Sequence, residues 1–455
     1  MSHLLFTVLA ATLLLSVRRS LSQAVDPSER CLSLQTTNNL ENTTIFQVDY
    51  ISAPGTVATP GSCQSTAAVT STPLCRVQLV INTTSTSAVH AEAWLPDTWF
   101  GRFLALGNGA LDGCIDYTGL DYGTSLHFAS IGSDNGHDGT SGFPFLNHPE
   151  VINDYGFRAV HVEAVIGKQL VAAYYDQPIA KSYFLGCSTG GRQGTQEALR
   201  FPEDFDGIVA GSPATDCNNL RGLVGHVDPN ITNTASPKFL TPADWNLVSA
   251  EILRQCDALD GLVDEIISEP DDCDFHQDVL LCASDQTTGC LTATQVEALK
   301  NVYAPLLGFH GEVLYPRYSP GAEADPAQSA ILGGRFFSVV TDWELYAILN
   351  VTEHDFTNFS LQDVALFNKI NAGEVATFSG DLAAFRDRGG KFLTYHGRRD
   401  PLISSTNSKR VYNLISETLK MPSLDDFYRL FLIPGMGHCG GRNRAHGVRS
   451  IIHRF

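Results

Sequence analysis

Apolar and polar positions along the chain change period several times, and each change marks an element. Arg76 to Ile81 is rich in β-branched residues, and Val89 to Trp94 alternates apolar with polar as a half-buried strand does. Arg102 to Leu106 is a short apolar run ending at a glycine, as a fully buried strand would. Phe157 to Val165 also reads as a strand. Lys181 to Cys187 is a short β-run that passes into a helix through Arg200, stopped by Pro202. Asp206 to Gly211 reads as the next strand, and after a long gap the rhythm resumes with a helix near Leu382 to Arg388 and a strand Lys391 to Tyr395. A last strand runs into Pro434 from Phe431. Strands alternating with helices predict an α/β fold with a mostly parallel sheet and helices on its faces. Residues 217–378 carry few such strands and several turn clusters, which predicts a domain inserted over the sheet. The expected organisation is a core in two parts, 25–216 and 379–455, separated by the insertion 217–378.

Composition narrows the class. The chain has 455 residues, 43% hydrophobic and 9% aromatic, enough for a large core. A formal net charge of −19 argues against nucleic-acid binding and suits a soluble secreted or acid-tolerant protein. Residues 1–24 read as a secretory signal, with an apolar stretch Leu4 to Val17 and small residues Ser22 and Ala24 at the cut, although Arg18 and Arg19 blur its position. No later segment is apolar enough to span a membrane, so no membrane partner is expected. Sequons at Asn42, Asn82, Asn230, Asn350 and Asn358 predict a glycoprotein, and in that compartment most of the 11 cysteines should be paired. Cys31, Cys63, Cys75 and Cys114 leave three pairings open.

The chemistry gathers at strand ends. Gly186-Cys187-Ser188-Thr189-Gly190 sits between strand and helix, the context a nucleophile elbow requires. Its glycines are needed because a Cβ at either flank would collide with the neighbouring strand or helix. Asp400 follows one later strand and His438 another, giving the Ser, Asp, His order of α/β-hydrolases. A serine hydroxyl needs an imidazole to take its proton and a carboxylate to hold that imidazole in the right tautomer. Taken singly, Asp400 also reads as a turn carboxylate and His438 as a loop histidine. Cys187 precedes the serine and Cys439 follows the histidine. A bridge between them would hold their Cα atoms roughly 5.5 Å apart, and Ser188 and His438 then within roughly 13 Å. Thr189 and the loop Gly107-Asn108-Gly109-Ala110 offer backbone N–H groups for an oxyanion, Gly109 and Ala110 in particular. A plain tight turn fits the same loop. Ser133 to Gly139 is crowded with metal-ligand types, yet a polar surface loop is the expectation. Asp257, Asp260 and Asp264 surround a Gly turn, a set of hard oxygens that suits Ca²⁺ and equally suits a solvated acidic loop.

The Cys-Ser…Asp…His-Cys pattern resembles the tannase and feruloyl esterase family. Gly107-Asn108-Gly109, Ser133 to His137, Gly207 to Pro213, Tyr395-His396-Gly397 with Asp400, and Gly435 to Cys439 extend the likeness from about Cys31 to Gly441. The resemblance implies a secreted serine esterase with an α/β-hydrolase core and a lid inserted between nucleophile and acid. It implies Ser188 as nucleophile, His438 as general base and acid, and Asp400 as its orienter. The implied substrates are aromatic esters of plant material, hydroxycinnamoyl (feruloyl) first and gallate as the alternative. An inactive, calcium-stabilised binding relative is the rival of another class. The resemblance also implies a structural Ca²⁺ held by Asp257, Asp260, Asp264 and the carbonyls of Leu262 and Ile266. Its implied pairings are Cys31–Cys75, Cys63–Cys114, Cys187–Cys439, Cys256–Cys273 and Cys282–Cys290, leaving Cys217 as a buried free thiol. Tyr315, Phe309 and Trp343 are candidates to stack on the aromatic acid, with lid core as the equal reading. Two features depart from the family. Arg398 and Arg399 precede Asp400, where guanidinium groups are expected to depress its pKa or compete for it. The chain also ends 16 residues after Cys439 in a basic tail with Arg442, Arg444, Arg449 and Arg454, which reads as a shortened terminus.

Overall fold

The computed structural model describes residues 26–440 apart from 37–39, 60–62, 64–65, 232, 324 and 326–336. The signal reading and the basic tail lie outside the described residues. The N-terminal part supplies β1 (Thr43–Ile51), β2 (Gly55–Ala58), β3 (Ala67–Thr70), β4 (Leu74–Asn82), β5 (Ala88–Pro96), β6 (Arg102–Leu106) and β7 (Phe128–Ser133). Then come β8 (Lys181–Cys187) and β9 (Gly207–Gly211), the short β10 (Leu306–Leu307) and β11 (Val313–Tyr315), and finally β12 (Lys391–Gly397) and β13 (Tyr428–Ile433).

Nine of these strands form one sheet in the order β1-β4-β5-β7-β6-β8-β9-β12-β13. From β7 to β13 neighbouring strands are parallel, while β1, β4 and β5 join the edge antiparallel. The order reverses around β6, which lies between β7 and β8. Crevices at the carboxyl ends of strands form where such a reversal occurs. β5 is buried along nearly its whole length instead of alternating, because both faces of the sheet are covered.

The segment 157–165 is not a strand. The helix Ala159–Tyr175 begins there, entered through a π-helical turn at Asp154–Arg158. Val160, Ala164, Gly167, Val171 and Tyr174 are buried at three- and four-residue spacing, packed in the main core with Phe103 and Ile131. Val160, Val162 and Ala164 mimic a two-residue alternation over one turn, and the longer 3.6-residue period decides the outcome. Each fully buried large side chain on such a face contributes about 1.5–3 kcal/mol.

Between Cys217 and Phe378 the described residues form helices, short 3₁₀ turns and the two-strand pair β10–β11, and add no strand to the nine-stranded sheet. Its helices Cys217–Ile231, Pro242–Cys256 and Ala293–Val302 share a hydrophobic cluster with Trp245, Leu299 and Tyr315. Among the described residues no helix is long and apolar enough to cross a membrane. Asn42, Asn82, Asn350 and Asn358 are exposed.

Candidate active site

The candidate reactive groups stand where parallel strands end. β8 delivers Ser188, which adopts φ 64° and ψ −119° before the helix Thr189–Arg200 begins. Positive φ on a non-glycine costs of order 1–3 kcal/mol, and here it lifts the serine clear of the strand. Gly186 permits the turn, since a Cβ there would lie 2.6 Å from the carbonyl carbon of Gly190. β12 leads to Asp400 and β13 to His438. The two loops touch at Gly397, where a Cβ would stand 2.2 Å from the Met436 carbonyl oxygen.

His438 Nδ1 lies 2.8 Å from Asp400 Oδ2. Asp400 is fully buried, and its Oδ1 accepts the N–H groups of Leu402 and Ile403, both at 2.9 Å. Burial alone would raise the acid's pKa, but the imidazoles of His438 and His396 hold it far below the ordinary carboxylate range. An ionised carboxylate only accepts, so His438 Nδ1 carries the proton and its Nε2 keeps a lone pair. Burial works to lower the pKa of His438, and the charge and hydrogen bond of Asp400 raise it on balance. His396 is the second imidazole on the acid. Its Nε2 is 3.2 Å from Asp400 Oδ2 and 3.0 Å from the Ile403 carbonyl, two acceptors that require a proton there. Nδ1 then accepts from Ser408 Oγ at 2.7 Å.

Arg398 and Arg399 do not compete for Asp400. Arg398 Nη2 pairs with Glu269 at 2.8 Å and Asp271 at 3.1 Å, and Arg399 Nε donates to the Gly321 carbonyl at 2.7 Å. Both reach into the inserted segment, and the depressed pKa of Asp400 comes from the two imidazoles instead.

Five disulfides are formed: Cys31–Cys75, Cys63–Cys114, Cys187–Cys439, Cys256–Cys273 and Cys282–Cys290. Cys187–Cys439 has a Cα separation of 5.9 Å across 252 residues of chain, and Cys217 is free and buried. Such a set belongs to an oxidising, extracellular-type compartment. Ser188, His438 and both half-cystines line one cavity of about 820 Å³.

The Gly107 loop forms another part of that wall. Asn108 N donates to Gln193 Oε1 at 2.9 Å, and Gln193 Nε2 returns to Asn108 Oδ1 at 3.1 Å and Asn135 Oδ1 at 3.0 Å. The Ala110 carbonyl accepts from Thr189 Oγ1 and Tyr155 Oη, both at 2.8 Å. The loop is thus pinned to the start of the nucleophile helix. With Asn108 N spoken for, Gly109 and Ala110 remain as cavity-lining candidates beside Thr189, whose N–H belongs to the unpaired first helical turn. Asp112, also in the wall, is raised to about 6 by burial.

Ser133 to His137 form an interior tie and not a surface loop, while Asp138 is exposed. Asn135 is 0% exposed, and Asp134 Oδ1 accepts from Gly136 N at 2.9 Å and His90 N at 3.0 Å. It is buried because Asn108 Nδ2 docks on the Ser133 carbonyl at 2.8 Å and His137 Nε2 on that of Leu111 at 2.7 Å. Tyr315 and Trp343 are fully buried in the core, Phe309 is 65% exposed, and none of the three lines the cavity. The aromatic rings that do are Tyr122, Phe337 and Tyr395. Sequence reasoning missed Gln193, Phe337 and the bond of His396 to Asp400. For Gln193 the available signal was a polar side chain on the buried face of an otherwise packed helix.

The acidic loop lies between Cys256 and Cys273, which are disulfide-bonded. Asp257 accepts from Glu265 N at 3.1 Å, Asp260 from Leu262 N at 2.9 Å, and Asp264 from Ile266 N at 3.2 Å. The donors are all hard oxygens, as Ca²⁺ prefers. Among the described residues, the three side chains with donor atoms gathered within 4.8 Å are instead His161, Glu197 and Asp204.

Comparison with known proteins gives the family and the fold. The profile of the family "Tannase and feruloyl esterase" matches residues 75–451. "Probable feruloyl esterase B-2" of Aspergillus oryzae is 42% identical over 429 residues, 93% of this chain and 81% of that protein. The crystal structure of an esterase from Aspergillus oryzae superposes with a TM-score of 0.90 at 41% identity, covering 93% of this chain and 85% of the other. Feruloyl esterase B from Aspergillus oryzae gives 0.88 at 38% identity, covering 91% and 84%. The fold is that of the α/β-hydrolases.

Proposed function

The chain belongs to the tannase and feruloyl esterase family and is a carboxylic ester hydrolase, and from that premise we propose that it is a secreted enzyme cleaving hydroxycinnamoyl (feruloyl) esters of plant cell-wall material through Ser188, His438 and Asp400. The observation that carries the residue assignment is the His438–Asp400 bond of 2.8 Å beside a cavity that Ser188 also lines.

Ser188 Oγ attacks the ester carbonyl while His438 Nε2 takes its proton. Asp400 stays ionised and stabilises the imidazolium. The Thr189 N–H and one from Gly109 or Ala110 bind the oxyanion. His438 then protonates the departing alcohol, and the acyl group remains on Ser188. A water molecule, deprotonated by His438, attacks the acyl-enzyme and releases the carboxylic acid. The apolar wall of Leu220, Val224, Phe337, Val339 and Val340 suits an aromatic acyl group. The acidic loop, with Asp257, Asp260, Asp264 and the carbonyls of Leu262 and Ile266, would hold a structural Ca²⁺ that takes no part in the reaction.

Purified protein is expected to hydrolyse methyl ferulate faster than methyl gallate, with Ser188→Ala inactive on both. A reversed ratio makes it a gallate esterase, and no turnover by folded protein makes it a non-catalytic binding relative.

A further inference from the structure

The cavity beside Ser188 has two unlike halves. Asp112, Asp116, Thr118 and Tyr122 line it from the segment after β6, and aliphatic and aromatic side chains line it from the insertion. Among the described residues one arginine interrupts the apolar half. Arg221, on the helix Cys217–Ile231, lines the cavity and is 3% exposed. Its Cζ lies 4.0 Å from the centroid of the Trp343 ring, and Nη2 donates to Tyr155 Oη at 3.3 Å. Nε and Nη1 are buried and have no hydrogen-bond partner among the described residues.

Other buried arginines are differently placed. Arg76 is matched by Glu92 at 2.6 Å, and Arg398 by Glu269 and Asp271. Arg192, near Arg221, spends Nη1 and Nη2 on the carbonyls of Gly156 and Tyr155 at 2.7 and 3.0 Å. Among the described residues Arg221 is the cavity-lining arginine, and its Nε and Nη1 are left over. A guanidinium in such surroundings gains most from an acceptor oxygen brought by the molecule that fills the cavity. The ring stack on Trp343 fixes the plane of its fork, so the acceptor has to arrive in a defined direction.

We propose that Arg221 is a specificity-determining residue that donates a hydrogen bond to an oxygen substituent, a phenolic hydroxyl or phenolate, on the aromatic ring of the acyl group. The inference rests on the esterase reading above and adds the feature of the substrate that the enzyme selects. The ring itself lies against Leu220, Val224 and Phe337, which present no polar group to it.

The test compares methyl 4-hydroxycinnamate with methyl cinnamate, which differ by one hydroxyl. The wild-type enzyme is expected to favour the hydroxylated ester in kcat/KM by about 10- to 100-fold, the range of a hydrogen bond from a charged donor. Arg221→Met, which keeps bulk and removes the donors, should bring the ratio near one, and Arg221→Lys should restore part of it. The ratio is internal to each variant, so a loss of folded protein does not imitate the result. Equal losses on both esters with the ratio kept, or a wild type indifferent to the hydroxyl, overturn the proposal and leave the esterase reading standing. A wild type that cleaves neither ester overturns that reading itself.

Discussion

The carboxyl edge of the sheet and the inserted segment 217–378 build the same cavity by different means. At the sheet edge each of the three candidate side chains follows a strand closely and is held from its immediate surroundings: Asp400 by two amides and the His396 imidazole, the Gly107 loop by Gln193 of the helix after Ser188, and Ser188 and His438 by one disulfide between their neighbours. The insertion contributes Leu220, Arg221, Val224 and Phe337 to the wall from helices and loops. It is fastened to the core through side chains. Arg398 and Lys409 meet Glu269 and Asp271, and Thr406 Oγ1 donates to Asp271 at 2.6 Å. Burial opposes ionisation of Asp271, yet Lys409, Thr406 and Arg398 bring its pKa to about 2, so this clasp keeps its charge in any mildly acidic medium. Chemistry therefore rests on groups set directly at strand ends, and recognition on side chains that the insertion contributes from elsewhere in the chain.

The comparison breaks most severely at Asp400. Asp400→Asn is expected to lower kcat by about 10³–10⁴-fold, because the imidazole loses the acceptor that sets its tautomer. The pH profile supplies the sign. Only neutral His438 accepts a proton, and Asp400 raises its pKa above the usual 6.5, so the acid limb of kcat/KM lies above that value. Removing the carboxylate should move that limb to lower pH. A limb that stays in place would show that another group titrates.

A smaller effect separates the regions by their disulfides. Loop-closure entropy assigns about 5.5 kcal/mol to the 252-residue separation of Cys187–Cys439 and about 2.5 kcal/mol to the 8-residue separation of Cys282–Cys290. Paired Cys→Ala variants at the first site should melt lower and lose turnover, whereas those at the second should melt slightly lower and keep it. Equal loss of turnover at both sites would remove the distinction between edge and insertion. An effect of the same size as that of the second disulfide is expected from calcium. A chelator should lower the melting temperature by a few degrees with little change in kcat below the melt, in line with about 2.7 kcal/mol for a site at 100 times its Kd. A melt indifferent to chelator would leave the acidic loop as a solvated turn.

Legibility follows distance along the chain. The elbow at Ser188 was readable because strand, turn and helix occupy neighbouring residues and Gly186 answers a clash within the same turn. Phe157 to Val165 was misread because one turn of Val160, Val162 and Ala164 satisfies both a strand and a helix period, and only the packing of Val171 and Tyr174 discriminates. Ser133 to Gly139 has a surface composition, and the burial of Ser133 to His137 arises from Asn108 and Leu111, outside the stretch. The acidic partners of Arg398, Glu269 and Asp271, lie about 130 residues away, where no local pattern reaches.

By itself the sequence determined the strand ends that carry Ser188, Asp400 and His438 and the cysteines beside two of them, since backbone propensity and turn sterics act between adjacent residues. The tertiary structure alone decided which side chains face the cavity. It placed Tyr315 and Trp343 in the core and put Phe337 and Arg221 in the wall, because burial and hydrogen bonding join residues that are remote along the chain.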